Sequence, residues 1–338
     1  MEGRANFLWA FLSGPALPDD TRHTYRWHMA YALLLAAAMG ILANAPIVAV
    51  KRMDPEKWHM TLRLVLSGGG QLLVLWLGVW MATRRKMPFV VWPGLAFAGC
   101  SFAMALATRD ALAFLVLLGL GVLFETVSRP AVAAVIRQNY PATHRGLVTG
   151  EIRKWSSLIF LLFTMLSALA LRWAGDGPEA MVRAQMLVSG VLSVAGFMAF
   201  DRIRVRDDEG PRLGGGEEAS GHLREACRIV AHDRRFRQYL LSGFLFCFGG
   251  LMYPSLMEPL LAGELGFGYV QTALLINVVP GALAFATTGA WGRWFDKTNT
   301  WFSWVAIRVF WALDALILAA TPMAAAAFPP AASALPLA

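Results

Sequence analysis

Residues 111–136 read ALAFLVLLGLGVLFETVSRPAVAAVI, with Glu125 and Arg129 as the only charged residues. A helix that crosses hydrocarbon needs about 20 mostly apolar residues, because every backbone amide must find its partner inside the segment. This run is long enough to cross. Its two charges stand four positions apart, hence on one helical face, where they can pair.

About eight further stretches meet the same requirement. They are His28 to Val50, Met60 to Ala82, Pro88 to Ala107, Trp155 to Trp173, Ala180 to Phe200, Gln238 to Ala262, Tyr269 to Trp291 and Trp301 to Pro322. The composition agrees: 57% of residues are hydrophobic, 15% are charged, and mean hydropathy is +0.52. A soluble domain needs more polar surface than that. The sequence therefore predicts an all-α polytopic membrane protein, with the lipid bilayer as its main partner.

The net charge of +8 does not point to nucleic acid, because the cations sit between long apolar runs rather than on one face. Cys100, Cys227 and Cys247 are an odd number at unrelated spacings, which suggests neither a disulfide framework nor a zinc site. The segment Phe7 to Leu17 is apolar but broken by Gly14 and Pro15 and lacks a preceding basic run. It reads as an amphipathic surface segment rather than a signal peptide.

Short cytoplasmic loops retain Lys and Arg. With the N-terminus inside, roughly 21 of the 30 Lys and Arg fall in cytoplasmic loops and about 6 in external ones. The predicted placement is the inner, plasma membrane with a cytoplasmic N-terminus. The chain divides into a cytoplasmic segment 1–27, a six-helix bundle 28–200, a basic cytoplasmic linker 201–237, three further spans 238–322 and an Ala/Pro-rich tail 323–338. The linker has a flexible centre at Gly214, Gly215 and Gly216 and then, from Glu217 onward, a helical pattern in which Leu223, Cys227, Val230 and Phe236 recur among arginines. That pattern fits a helix on anionic headgroups or a solvated linker helix equally well.

Six spans, a long basic loop and further spans form a layout that resembles the major facilitator superfamily. The turn after the eighth span, Gly292 to Asn299, is similar to that family's loop signature in Gly292, Asp296 and Lys297. The first-half counterpart keeps Gly78 and the cations Arg84, Arg85 and Lys86 but has Ala82 in the aspartate position. Arg145 and Gly146 resemble the Arg-Gly pair that opens the family's loop between the fourth and fifth helices. Asp233 to Arg237 resembles its entry into the second half.

The resemblance implies two six-helix bundles rocking about a midplane cavity, with these motifs as a conformational latch. Asp296 would face the positive end of the fifth span, entered through Glu151, Arg153 and Lys154. Departures are equally specific. Leu115 stands where many members carry an arginine ahead of Gly119-Leu120-Gly121, and the fifth span lacks a Gly-Pro pair, so a drug exporter is not indicated. Against the family's twelve spans the chain has about nine, which implies a second bundle truncated at its C-terminal end.

Ionisable and amide residues inside spans are costly and therefore candidates for function. For a substrate cavity these are Asn44, Gln71, Glu125, Arg129, Tyr253, Glu258 and Asn277. Each has a plainer reading. Glu125 and Arg129 can lock helices together, Glu258 can reach external water, and Asn44, Gln71 and Asn277 can bond neighbouring helices.

Arg63 and Arg308 are expected to snorkel to headgroups, and Asp314 to face a bundle interior. Ser156, Ser157, Thr164 and Ser167 can bond back to carbonyls of their own helix. Ser67 to Gly70 reads as a close helix contact.

The predicted function is secondary active transport of a small solute by alternating access, with a proton or sodium ion as the candidate coupling ion and no cofactor. The competing class is a non-transporting remnant or membrane scaffold. A membrane enzyme is disfavoured because His23, His28, His59, His144, His222 and His232 fall in loops or at span edges without metal-type spacing.

Overall fold

The structure is a computed structural model that describes residues 19–82, 84–175, 179–205, 228, 230–297, 305, 308, 309, 312, 313 and 316. Every regular element among them is helical. The expected surface segment before residue 19, the linker pattern at Leu223 and Cys227, Asp314 and the tail lie outside the described residues, as does most of the ninth span.

The first half contains α1 (Asp19–Leu42), α2 (Ala45–Arg52), α3 (Lys57–Ala82), α4 (Pro88–Leu106), α5 (Ala111–Asn139), α6 (Ala142–Trp173) and α7 (Glu179–Asp201). The second contains α8 (Arg234–Glu258), a π-helical segment Pro259–Glu264, α9 (Tyr269–Ala273), a second π-helical segment Leu274–Val278 and α10 (Val279–Lys297). Among the described residues six stretches are long and apolar enough to cross a membrane: Thr21–Arg52, Pro88–Leu106, Ala111–Asn139, Ala142–Trp173, Glu179–Asp201 and Tyr269–Thr287.

Two helix starts differ most from the sequence expectation. The first helix starts at Asp19 rather than His28, because Thr21, Tyr25 and His28 turn inward and are buried. Residues 19–27 are thus the first turns of a bundle helix rather than part of an N-terminal segment. The fifth span starts at Ala142, thirteen residues before Trp155, and continues without a break for 32 residues, about 48 Å. Gly146 and Gly150 are tolerated inside it, and Pro141 occupies the N-cap, where its missing N–H costs nothing.

In the first half the helices pack in the order α3, α5, α4, α7, α1, α6, an arc whose two ends, α3 and α6, meet the second half. Small residues permit the closest crossings. A Cβ added at Gly40 of α1 would lie 2.6 Å from the Phe160 carbonyl of α6, and one at Gly70 of α3 would lie 3.2 Å from the Leu123 carbonyl of α5. Gly70 thus makes the close contact read from the glycine run. The interior is aromatic: the Tyr31 ring stands 4.8 Å from Phe200 and 5.4 Å from Phe197, both on α7.

The turns define two ends of the bundle. One end carries Arg52, Gly175 and Tyr269, and the other carries Lys86, Arg145, Arg202 and Arg234. At the latter, Asp233 caps α8, its carboxylate accepting from the Arg235 and Phe236 amides at 2.9 and 3.0 Å.

The opening helix of each half is interrupted near the Arg52 end. Pro46 follows Asn44 between α1 and α2, and Pro259 follows Glu258 at the end of α8. Each proline lacks the N–H that would continue the ladder. The interruptions come about 25 residues into α1 and into α8, as a repeated architecture requires.

Candidate functional site

The two halves touch mainly at the Arg52 end. There α2 and α6 pack against the Pro259–Glu264 segment, α9 and the Leu274–Val278 segment. Ile47, Ala168, Ala262 and Ala273, one from each of four chain segments, form a buried apolar cluster. This apolar plug lies where the two halves meet. Above it, Arg52 donates to the Tyr269 hydroxyl at 3.2 Å and to the Gly175 carbonyl at 2.8 Å. Gly175 can turn its carbonyl there because it adopts φ +55°.

Beside the plug, Arg63 of α3 and Glu258 of α8 form a two-pronged ion pair. Nη2 donates to Oε2 at 2.8 Å and Nη1 to Oε1 at 3.4 Å. Both residues are buried, at 8% and 6% exposure. The expectation that Arg63 snorkels to headgroups is therefore corrected. Its side chain turns into the bundle, where Glu258 supplies the counter-charge that an enclosed guanidinium requires. Glu258 likewise faces the interface rather than external water.

The remaining candidates are placed as follows. Asn44 is 1% exposed at the α1–α2 break, and its Nδ2 donates to the Thr164 carbonyl of α6 at 2.8 Å. Asn277 lies in the second π-helical segment. Gln71 is exposed on α3 and makes no hydrogen bond to another described residue, so it does not bridge helices. Glu125 is buried and pairs with Arg129, whose Nε donates to Oε1 at 3.0 Å while Nη2 lies 2.7 Å from Oε2. That pair is remote from the ends of α5 and joins two residues of one helix, with the guanidinium more than half exposed. The side chain of Tyr253 lies outside the described residues.

Two side chains expected elsewhere bond across helices. Ser167 donates to Gln185 Oε1 at 3.0 Å instead of back-bonding, whereas Thr164 and Ser156 do bond back, to Phe160 and Arg153. Arg308 donates to the Ser242 hydroxyl at 3.1 Å rather than only reaching headgroups.

At the opposite end, the Arg145 guanidinium donates to the carbonyls of Tyr140 (2.8 Å) and Arg137 (2.6 Å). It thus caps the negative end of α5 from the first turn of α6, a helix where an Arg-Gly loop was expected. Burial, with a smaller contribution from Tyr25, raises the Tyr140 phenol well above its ordinary value. A Cβ added at Gly78, Gly146 or Gly150 would meet nothing within 4 Å. Gly292, Asp296 and Lys297 lie in α10, which stays helical through Lys297 where a turn was expected, and their side chains lie outside the described residues. Because α6 begins at Ala142, its positive end is there, not at Glu151 to Lys154. Glu151 instead accepts from Trp155 Nε1 at 2.7 Å.

Among the described residues no three His, Cys, Asp or Glu side chains are grouped to hold a metal ion. The model of the Major Facilitator Superfamily matches residues 57–335, most of the chain. The chain belongs to the major facilitator superfamily. Its members are membrane transporters, so this is a transporter-family protein with several membrane-crossing helices. No curated protein and no solved structure matches it. The family match begins at the start of α3, so the break at Asn44 and the plug residue Ile47 precede it, whereas Arg63 and Glu258 fall within it.

Proposed function

We propose that this major facilitator superfamily protein carries a small solute across the membrane by alternating access, with the Arg52 end external and the Arg145 end cytoplasmic. The observation that carries this reading is the buried Arg63–Glu258 pair, which ties the first half to the second beside the apolar plug at the Arg52 end. Toward the other end, residues 234–238, 240 and 241 of α8 and 282–287 of α10 are exposed, as are Leu147, Gly150 and Arg153 of α6. A bundle held closed at one end is one of the two states that alternating access requires. The cations of the turns at Arg84 to Lys86, Arg137 to Arg145 and Arg202 to Arg237 support placing that end in the cytoplasm.

The test needs no known solute. Spin-label pairs at Glu56 and Gly268 report the Arg52 end, and pairs at His144 and Arg234 report the Arg145 end. In lipid nanodiscs, Glu258→Gln should lengthen the first distance and shorten the second in the same population. Fixed single distances at both ends, in the parent and the variant alike, would defeat the alternating-access reading.

A further inference from the structure

Each of the four segments meeting in the plug carries a polar residue one turn toward the Arg145 end. Asn44 precedes Ile47 by three positions, Thr164 precedes Ala168 by four, Glu258 precedes Ala262 by four, and Asn277 follows Ala273 by four. Within the continuous helix α6 this spacing keeps Thr164 on the face that Ala168 presents, and in the other three segments it places the polar residue about one turn from the plug. Direction is consistent, because α6 runs antiparallel to the chain from Tyr269 to Lys297. One turn further along, a Cβ at Gly281 would lie 2.5 Å from Leu161, in the same register as Ala273 with Ala168. The plug is therefore the ceiling of a polar layer built by both halves.

Three side-chain atoms of that layer are buried without a hydrogen-bond partner: Asn44 Oδ1, Arg63 Nε and Asn277 Nδ2. They comprise one acceptor and two donors. Thr164 Oγ1 is already used, donating to the Phe160 carbonyl at 2.8 Å. Buried polar atoms are normally satisfied, so three unsatisfied atoms on residues gathered where the halves meet indicate a ligand's place. The layer's charge is also defined, since Arg63 and Glu258 neutralise one another through both prongs. A solute with net charge would enter without a spare counter-charge and would have to break that pair.

We infer that the layer formed by Asn44, Arg63, Glu258 and Asn277 binds the transported solute, and that this solute is an uncharged molecule bearing hydroxyl or carboxamide groups. This rests on the alternating-access reading for the word "transported", while the chemistry of the site stands on its own geometry. Asn44 accepts a hydrogen bond from the solute, and Asn277 and Arg63 Nε donate to it. In the state closed at the Arg52 end the ion pair stays intact with the solute bound.

The experiment uses the full chain with Cys100, Cys227 and Cys247 replaced by alanine, carrying Asn277→Cys, in nanodiscs. Three methanethiosulfonate reagents are compared: neutral hydroxyethyl, anionic sulfonatoethyl and cationic trimethylammonioethyl, each rate divided by its rate with N-acetylcysteine. The neutral reagent should lead both charged ones by about tenfold or more, and adding Glu258→Gln, which leaves Arg63 uncompensated, should move the preference to the anionic reagent. Thr164→Cys provides the same readout if Asn277→Cys does not fold. Equal normalised rates, no reaction with any reagent, or a preference untouched by Glu258→Gln would overturn the inference. Fixed spin-label distances alongside the neutral preference would instead remove only the transport reading.

Discussion

Glu258→Gln is the most informative single change. In the closed arrangement both members of the Arg63–Glu258 pair are buried, so removing the carboxylate charge leaves a guanidinium enclosed without a counter-ion. Breaking a buried pair by removing one partner costs about 3 to 5 kcal/mol. Glutamine keeps an acceptor oxygen for Arg63, which returns about 1.5 kcal/mol as a hydrogen bond to a charged group. The closed state therefore loses about 1.5 to 3.5 kcal/mol relative to one in which Arg63 meets water, a shift of roughly 10- to 300-fold in the closed-to-open ratio. Labelling of Ala262→Cys by a membrane-impermeant maleimide from the Arg52 side should accelerate by that factor. Exchanging the charges, with Arg63→Glu and Glu258→Arg together, should recover much of the protection. Unchanged labelling in Glu258→Gln would refute the claim that this pair holds the two halves together.

Gly40→Ala forces a Cβ toward the Phe160 carbonyl and should lower stability by about 1 to 3 kcal/mol, read as a lower melting temperature in detergent. Gly146→Ala meets open space and, inside a helix, should leave the melt unchanged or raise stability by about 0.5 to 1 kcal/mol. Arg145→Gln removes the charged cap on Tyr140 and Arg137 and should cost about 1 to 2 kcal/mol in the same melt, with labelling at Ala262→Cys unaffected. Asp296→Asn should shift the ratio of the two spin-label distances more than it changes membrane insertion. Equal insertion with identical distances would remove the latch role from that carboxylate.

Helical class and most span positions were legible in the sequence because lipid imposes them locally: each crossing segment must satisfy its own backbone and present apolar side chains. The boundaries that moved did so for tertiary reasons. Asp19 to Trp27 carries polar side chains, yet Thr21 and Tyr25 are buried, with Tyr25 packed on Tyr140, Val148 and Ile152 and Thr24 accepting from Asn139 at the end of α5. Nothing in the local sequence announces that burial. The same holds for the start of α6, whose first turns are exposed and polar and read as a loop, although no residue after Pro141 breaks the helix.

Asn44, Glu258 and Asn277 were visible as polar residues inside apolar spans, because burying such groups is costly wherever they occur. Their common level was not visible. Arg63 was misread for the same reason: a cation a few residues into a span fits headgroups as well as a buried partner, and its partner Glu258 lies 195 positions away. By itself the sequence determined that the chain lies in lipid as helices and that its cations mark one side, since hydropathy and charge act on each segment separately. Only the tertiary structure decided which polar residues share a layer, because pairing across the two halves depends on how the helices are turned and crossed.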